Sequence, residues 1–166
     1  MYTALFSALI AVCALISVPS TPPFTMQSFA VILAIFTLGS RRAFTSVLVY
    51  IFIGLVGVPV FSGFSSGIGV LFGATGGYLP GFLLMPPVYA LVHRKSAVST
   101  IFACVMSFAV CYITGTLWFM HVYSLPLDTT GAVTAFQACV LPFILPDAIK
   151  TILAYIVYKR IKRTER

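Results

Sequence analysis

Apolar residues run almost unbroken along this chain, in stretches at about 3–18, 25–39, 43–61, 79–92, 97–120 and 137–158. The stretches are set apart by short polar, glycine- or proline-bearing connectors. Spanning a bilayer as a helix takes about 20 residues, with about 17 at the lower limit. The pattern therefore predicts a bundle of about six transmembrane helices, several of them short. The fourth stretch is the weakest, because Pro86 and Pro87 are expected to kink it. No internal repeat and no low-complexity linker interrupts the series, so one domain over residues 1–166 is expected.

Composition agrees with the bilayer as solvent. Of the 166 residues, 60% are apolar and 8% charged, and mean hydropathy is +1.09. A soluble domain carries about 25% charged residues. The formal net charge of +7 invites a nucleic-acid reading, but the basic residues sit in short clusters between apolar runs, which is a pattern of membrane topology. Arg41 and Arg42 follow the second run, Arg94 and Lys95 the fourth, and Lys159, Arg160, Lys162, Arg163 and Arg166 the sixth. The connectors 19–24, 62–78 and 121–136 hold no Lys or Arg, and the last holds Asp128. Nine of the ten basic residues thus alternate onto one side, as six spans with both termini cytoplasmic require. The first helix opens at Tyr2 without a basic leader or a small-residue cleavage pattern and is read as retained. Cys13, Cys104, Cys111 and Cys139 all lie in apolar runs, with no metal-ligand spacing, and are read as packing residues.

The tenth basic residue, Lys150, lies inside the sixth run, three residues after Asp147. A charge at the bilayer centre costs about 2.5–3.5 kcal/mol on insertion scales, so intramembrane charges are functional candidates by default. At i and i+3 the two side chains share a helix face. Counting back from Lys159 at roughly 1.5 Å per residue puts Lys150 near the midplane. Pro146 is expected to break the helix, placing Asp147 in the first turn of a fresh segment where the helix dipole favours a carboxylate. The pair could simply pin the bundle, although a buried ion pair gains little over apolar packing. It would equally serve a polar ligand, with Asp147 accepting from donors and Lys150 meeting an anion.

Three further stretches stand out. Between the third and fourth runs, the segment Gly63–Tyr78 is rich in glycine but holds no phosphate-binding pattern. With Phe61, Phe64 and Tyr78 around it, it reads as an irregular loop folded back over a cavity, or as close helix packing. The stretch Pro22-Pro-Phe-Thr-Met-Gln27 enters the second run, with Gln27 a candidate polar contact. Ala4 and Ala8 give the first helix a small-x-x-x-small face suited to another helix.

In order and spacing, four segments resemble the BioY family, the biotin-specific substrate-binding (S) components of energy-coupling-factor (ECF) vitamin transporters. They are Pro23-Phe-Thr-Met-Gln27, Gly54-Leu-Val-Gly-Val-Pro-Val-Phe61, Gly73-Ala-Thr-Gly-Gly-Tyr78 and Leu141-Pro-Phe-Ile-Leu-Pro-Asp-Ala-Ile-Lys150. Ala74 departs from the family, which usually has proline there, and the chain is somewhat short for it. The resemblance implies an all-α, S-component-like bundle in the cytoplasmic membrane that binds biotin near its outer face. It also implies coupling to a transmembrane T component, met through Ala4 and Ala8, and to two cytosolic ATPases. No cofactor, metal or nucleic acid is implied. On this reading Asp147 accepts from the ureido ring, and Lys150 either reaches the carboxylate or holds Asp147 ionised. Gln27, Thr75 and Tyr78 are polar contacts, and Phe61 and Phe64 apolar walls. An ion-coupled or solitary carrier of biotin or another small vitamin is the alternative. An enzyme is disfavoured, because His93 and His121 stand far from Asp147 in the chain.

Overall fold

The computed structural model describes residues 1–164 apart from 19, 21, 95 and 127. Its helices are α1 (Tyr2–Leu15), α2 (Gln27–Leu38), α3 (Ser40–Leu55), α4 (Gly69–Phe72), α5 (Tyr78–Val92), α6 (Ala97–Val122), α7 (Thr129–Cys139) and α8 (Leu141–Thr164). Six of these correspond to the six apolar runs, with α4 and α7 as short additions in the connectors. Between α1 and α2, Ser17–Val18 (β1) and Phe24–Thr25 (β2) pair as a small antiparallel ribbon.

Helix α2 is the axis of the bundle. Ala30, Val31, Ile32, Leu33, Ala34 and Ile35 are all buried, so it is apolar and covered all round. It packs on α8, α1 and α3, while α5 packs chiefly on α6. The outer helices instead expose apolar side chains such as Leu5, Phe52, Ile101, Leu117 and Ile152, as lipid-facing surfaces do.

The two ends of the bundle differ. At one end hydroxyls tie α1 to α3: Ser7 donates to the carbonyl of Ser46 at 2.9 Å, and Ser46 to that of Thr3 at 3.1 Å. The ring of Phe36 lies about 6 Å from those of Tyr89, Tyr155 and Tyr158, which joins the ends of α2, α5 and α8. Arg41, Arg42, Arg94 and the basic cluster of α8 all belong to this end. The ribbon, the 56–77 segment and α7 form the other.

Several breaks differ from expectation. Residues 121–136 were expected as a plain connector, but α7 forms there, capped by Asp128, whose carboxylate accepts from the amide of Gly131 at 2.8 Å. The third run leaves its helix at Leu55, six residues early. Gly57, at φ +115, then turns the chain back over α3. Both prolines of the fourth run sit inside an unbroken α5, where Ser107 of α6 donates to the neighbouring Met85 carbonyl at 3.2 Å. Pro146 does not break its helix either. The discontinuity falls at Val140, between α7 and α8. Pro142 accounts for it: without an N–H it cannot bond back to Ala138, yet it is tolerated in the first turn of α8. Asp147 is therefore in the second turn of α8, where no helix terminus holds its charge.

Candidate functional site

Six parts of the chain converge on one cavity at the ribbon end. Asp147 and Lys150 reach it from α8, and Thr25, Gln27 and Ser28 from the ribbon and the start of α2. Tyr50 comes from α3, Tyr78 and Phe82 from α5, and Phe108, Cys111 and Tyr112 from α6. The segment after α3 contributes Phe61, Ser62, Ser65, Val70 and Thr75.

The Asp147–Lys150 pair is 2.9 Å apart and almost fully buried. Oδ1 of Asp147 accepts from Lys150 Nζ and, at 2.7 Å, from the Ser28 hydroxyl, while Oδ2 accepts from the Tyr112 hydroxyl at 2.6 Å. Three donors thus converge on one carboxylate. Lys150 has three protons to give and three acceptors: Asp147, the Ser28 hydroxyl at 3.1 Å and the Thr25 carbonyl at 2.6 Å. Its ammonium also lies 3.9 Å from the centre of the Phe24 ring, which stacks on Phe143. With every donor engaged, Lys150 steadies Asp147 and straps the ribbon to α8. Charge pairing offsets the desolvation that an isolated buried ion would suffer.

Around this cluster the walls are apolar and fixed. Phe61 is 2% exposed, with its ring edge-on to Tyr50 at 5.6 Å. It fits a notch made by Gly54, where any Cβ would overlap the ring. Tyr78 lines the cavity with its ring, since its hydroxyl donates to the Cys139 carbonyl at 3.1 Å. That carbonyl is available because the helix breaks at Val140.

Of the seven ligand-site residues expected, six line the cavity: Gln27, Phe61, Thr75, Tyr78, Asp147 and Lys150. Phe64 does not. It is 69% exposed on a 3-10 turn (Ser62–Phe64) with φ +58, turned away from the wall that Phe61 occupies. Ser28, Tyr50 and Tyr112 were not anticipated. The only sequence signal for Ser28 is its position next to Gln27. Tyr112 is a phenol set in the long apolar run of α6. Ala4 and Ala8 lie outside the site, exposed on the flank of α1. Among the described residues no group of acidic, histidine or cysteine side chains could hold a metal ion.

A small apolar chamber with one carboxylate in its wall suits a compact ligand with hydrogen-bond donors. The "Probable biotin transporter BioY" of Pyrococcus horikoshii is 39% identical over 96% of this chain and 93% of its own. The "Biotin transporter BioY" of Thermotoga maritima is 36% identical over 97% of this chain and 94% of its own. A crystal structure of the S-component for biotin from an ECF-type ABC transporter superposes with a TM-score of 0.79, covering 98% of this chain and 89% of that one at 22% identity. That likeness shows a shared fold. Both relatives are named as transporters. The BioY family model matches residues 1–166 in full, and the chain belongs to the BioY family.

Proposed function

We propose that this chain binds biotin in the cavity beside Asp147 and delivers it across the cytoplasmic membrane as the substrate-specific component of an ECF-type transporter. The observation that carries the reading is the carboxylate of Asp147. It is buried, bonded by three internal donors, and set in the wall of an otherwise apolar chamber. Biotin offers the complement: a ureido ring with two N–H donors on an apolar thioether bicycle and chain. Asp147 accepts from the ureido ring, while the aromatic walls pack against the bicycle. Lys150 acts through Asp147 and the ribbon.

The distribution of charge supports the orientation. Apart from Lys150, the described basic residues gather at the end opposite the cavity, so with that end cytoplasmic the chamber opens outward. ATP hydrolysis belongs to two partner ATPases, coupled through a transmembrane T component that docks on the exposed Ala4–Ala8 face of α1. This chain has no phosphate loop to do that work itself.

Calorimetric titration of biotin and of other vitamins into the detergent-purified chain tests the reading. Tight binding of biotin alone is expected. Asp147→Asn should weaken it by about 1.5–3 kcal/mol, the range for a hydrogen bond to a charged group. Binding left intact by that substitution would remove Asp147 from the ligand's contacts.

A further inference from the structure

The one tryptophan of the chain, Trp118 near the end of α6, stands outside the cavity wall. A tryptophan near the end of a membrane helix usually spends its N–H on water or lipid headgroups. Trp118 spends it on the protein: Nε1 donates to the Gly73 carbonyl at 3.0 Å. The same carbonyl accepts from the Gly76 amide, also at 3.0 Å, in the bond that closes the turn Gly73–Gly76. Both lone pairs of one backbone oxygen are thus engaged, one from within the turn and one from α6.

The fit around the indole is close on the side of the turn. Gly76 and Gly77 are buried against it: a Cβ on Gly76 would stand 2.8 Å from Nε1, and one on Gly77 would overlap the Cβ of Trp118. About one turn back along α6, Gly115 receives the ring of Tyr78 in the same way. Two residues of the cavity wall hang on this turn. Thr75 is its third residue, and the Thr75 carbonyl accepts from the amide of Tyr78 at 3.0 Å. Both Thr75 and Tyr78 line the chamber.

Resting on the biotin reading, we propose that Trp118 is a positioning residue for the ligand, its indole N–H clamping the Gly73–Gly76 turn to α6 so that Thr75 and Tyr78 form a ready-made wall. A wall ordered in advance spares the ligand the cost of ordering it. A turn free to move is competent to bind for only part of the time, and the apparent affinity falls by that fraction.

The turn also admits a second, independent means of stiffening. Ala74 is its second residue, the place where proline presets the required φ. Ala74 has a negative φ, and its amide makes no backbone hydrogen bond among the described residues. Gly73 before it is already extended, at φ −79 and ψ 175, as a residue preceding proline must be.

The test is Trp118→Phe in the full-length, detergent-purified chain, alone and combined with Ala74→Pro, titrated with biotin. Phenylalanine keeps an aromatic ring beside the glycines and removes the N–H. Affinity should fall about three- to tenfold, the worth of one net hydrogen bond. Amide exchange at residues 73–78 of the empty protein should quicken. Adding Ala74→Pro should slow that exchange again and recover most of the affinity, although it restores no bond to α6. A proline in the turn would not repair lost packing. The proposal is overturned by wild-type affinity in Trp118→Phe, by unchanged exchange in it, or by a double variant whose turn is slow but whose affinity stays low. The first two outcomes need Trp118→Phe alone, so they decide even if the proline variant does not fold. Should the wild-type chain fail to bind biotin, the vitamin reading falls, and exchange in Trp118→Phe still decides whether the indole holds the turn.

Discussion

Asp147 owes its setting to residues far from it in sequence. Ser28 is 119 positions away and Tyr112 is 35. The charged pair itself was legible, because carboxylates and ammonium groups are rare in apolar runs. Its partners were not, because hydroxyls are common in membrane helices and carry no mark of what they will face. Phe61 and Phe64 make the same point: three positions apart and equal in composition, one is walled in by Gly54 and the other faces outward. The two oxygens of Asp147 are also unequally held, two donors on Oδ1 and one on Oδ2. Tyr112→Phe should therefore weaken biotin binding by less than Asp147→Asn does, about 0.5–1.5 kcal/mol on the scale of a single net hydrogen bond. Titration calorimetry on the two variants side by side checks this. A loss equal to that of Asp147→Asn would mean that Tyr112 touches the ligand itself.

At the level of elements, the apolar runs located the spans well, while the places where helices stop were read less well. Hydrophobic length reports what the bilayer must cover. Helix ends depend on which carbonyl loses its partner, and that depends on neighbours in space. So Pro146 was credited with a break that Pro142 brings about at Val140, and a strand pair of two residues each left no periodic signal at all. The segment after α3 shows how much one such element can depend on one residue. Its return over the helix rests on the Gly54 notch and on a 2.8 Å bond from the Gly67 amide to the Gly54 carbonyl. Gly54→Ala should push Phe61 into the chamber and weaken biotin binding, at a strain of about 1–3 kcal/mol typical of an overpacked core. Phe61→Leu in the same chain should restore much of the loss. Hydrogen exchange over residues 57–67, measured without ligand, should quicken in the single variant and slow again in the double. Binding unaffected by Gly54→Ala would show that the loop has room to yield.

The whole molecule has a closed end and an open one. Hydroxyl bonds between α1 and α3 and an aromatic cluster joining α2, α5 and α8 knit the basic end together. The other end is a chamber roofed by a loop and a ribbon. Helix α1 contributes buried residues inward, such as Phe6 and Ile10, and leaves Ala4 and Ala8 on the outside. Ala4→Trp together with Ala8→Trp should thus leave biotin binding in detergent unchanged. Uptake in cells supplied with a T component and its ATPases should be lost. If binding fell as well, the alanine face would have a role in the bundle itself.

The single ammonium of Lys150 bonds at once to Asp147, in the site, and to Thr25, in the ribbon at its mouth. Where a ligand in the chamber draws on that ammonium, its binding and the position of the ribbon become two sides of one equilibrium. A ligand that draws the ammonium from the Thr25 carbonyl loosens the ribbon by a definite factor. By thermodynamic reciprocity, anything that holds the ribbon down lowers the affinity for that ligand by the same factor.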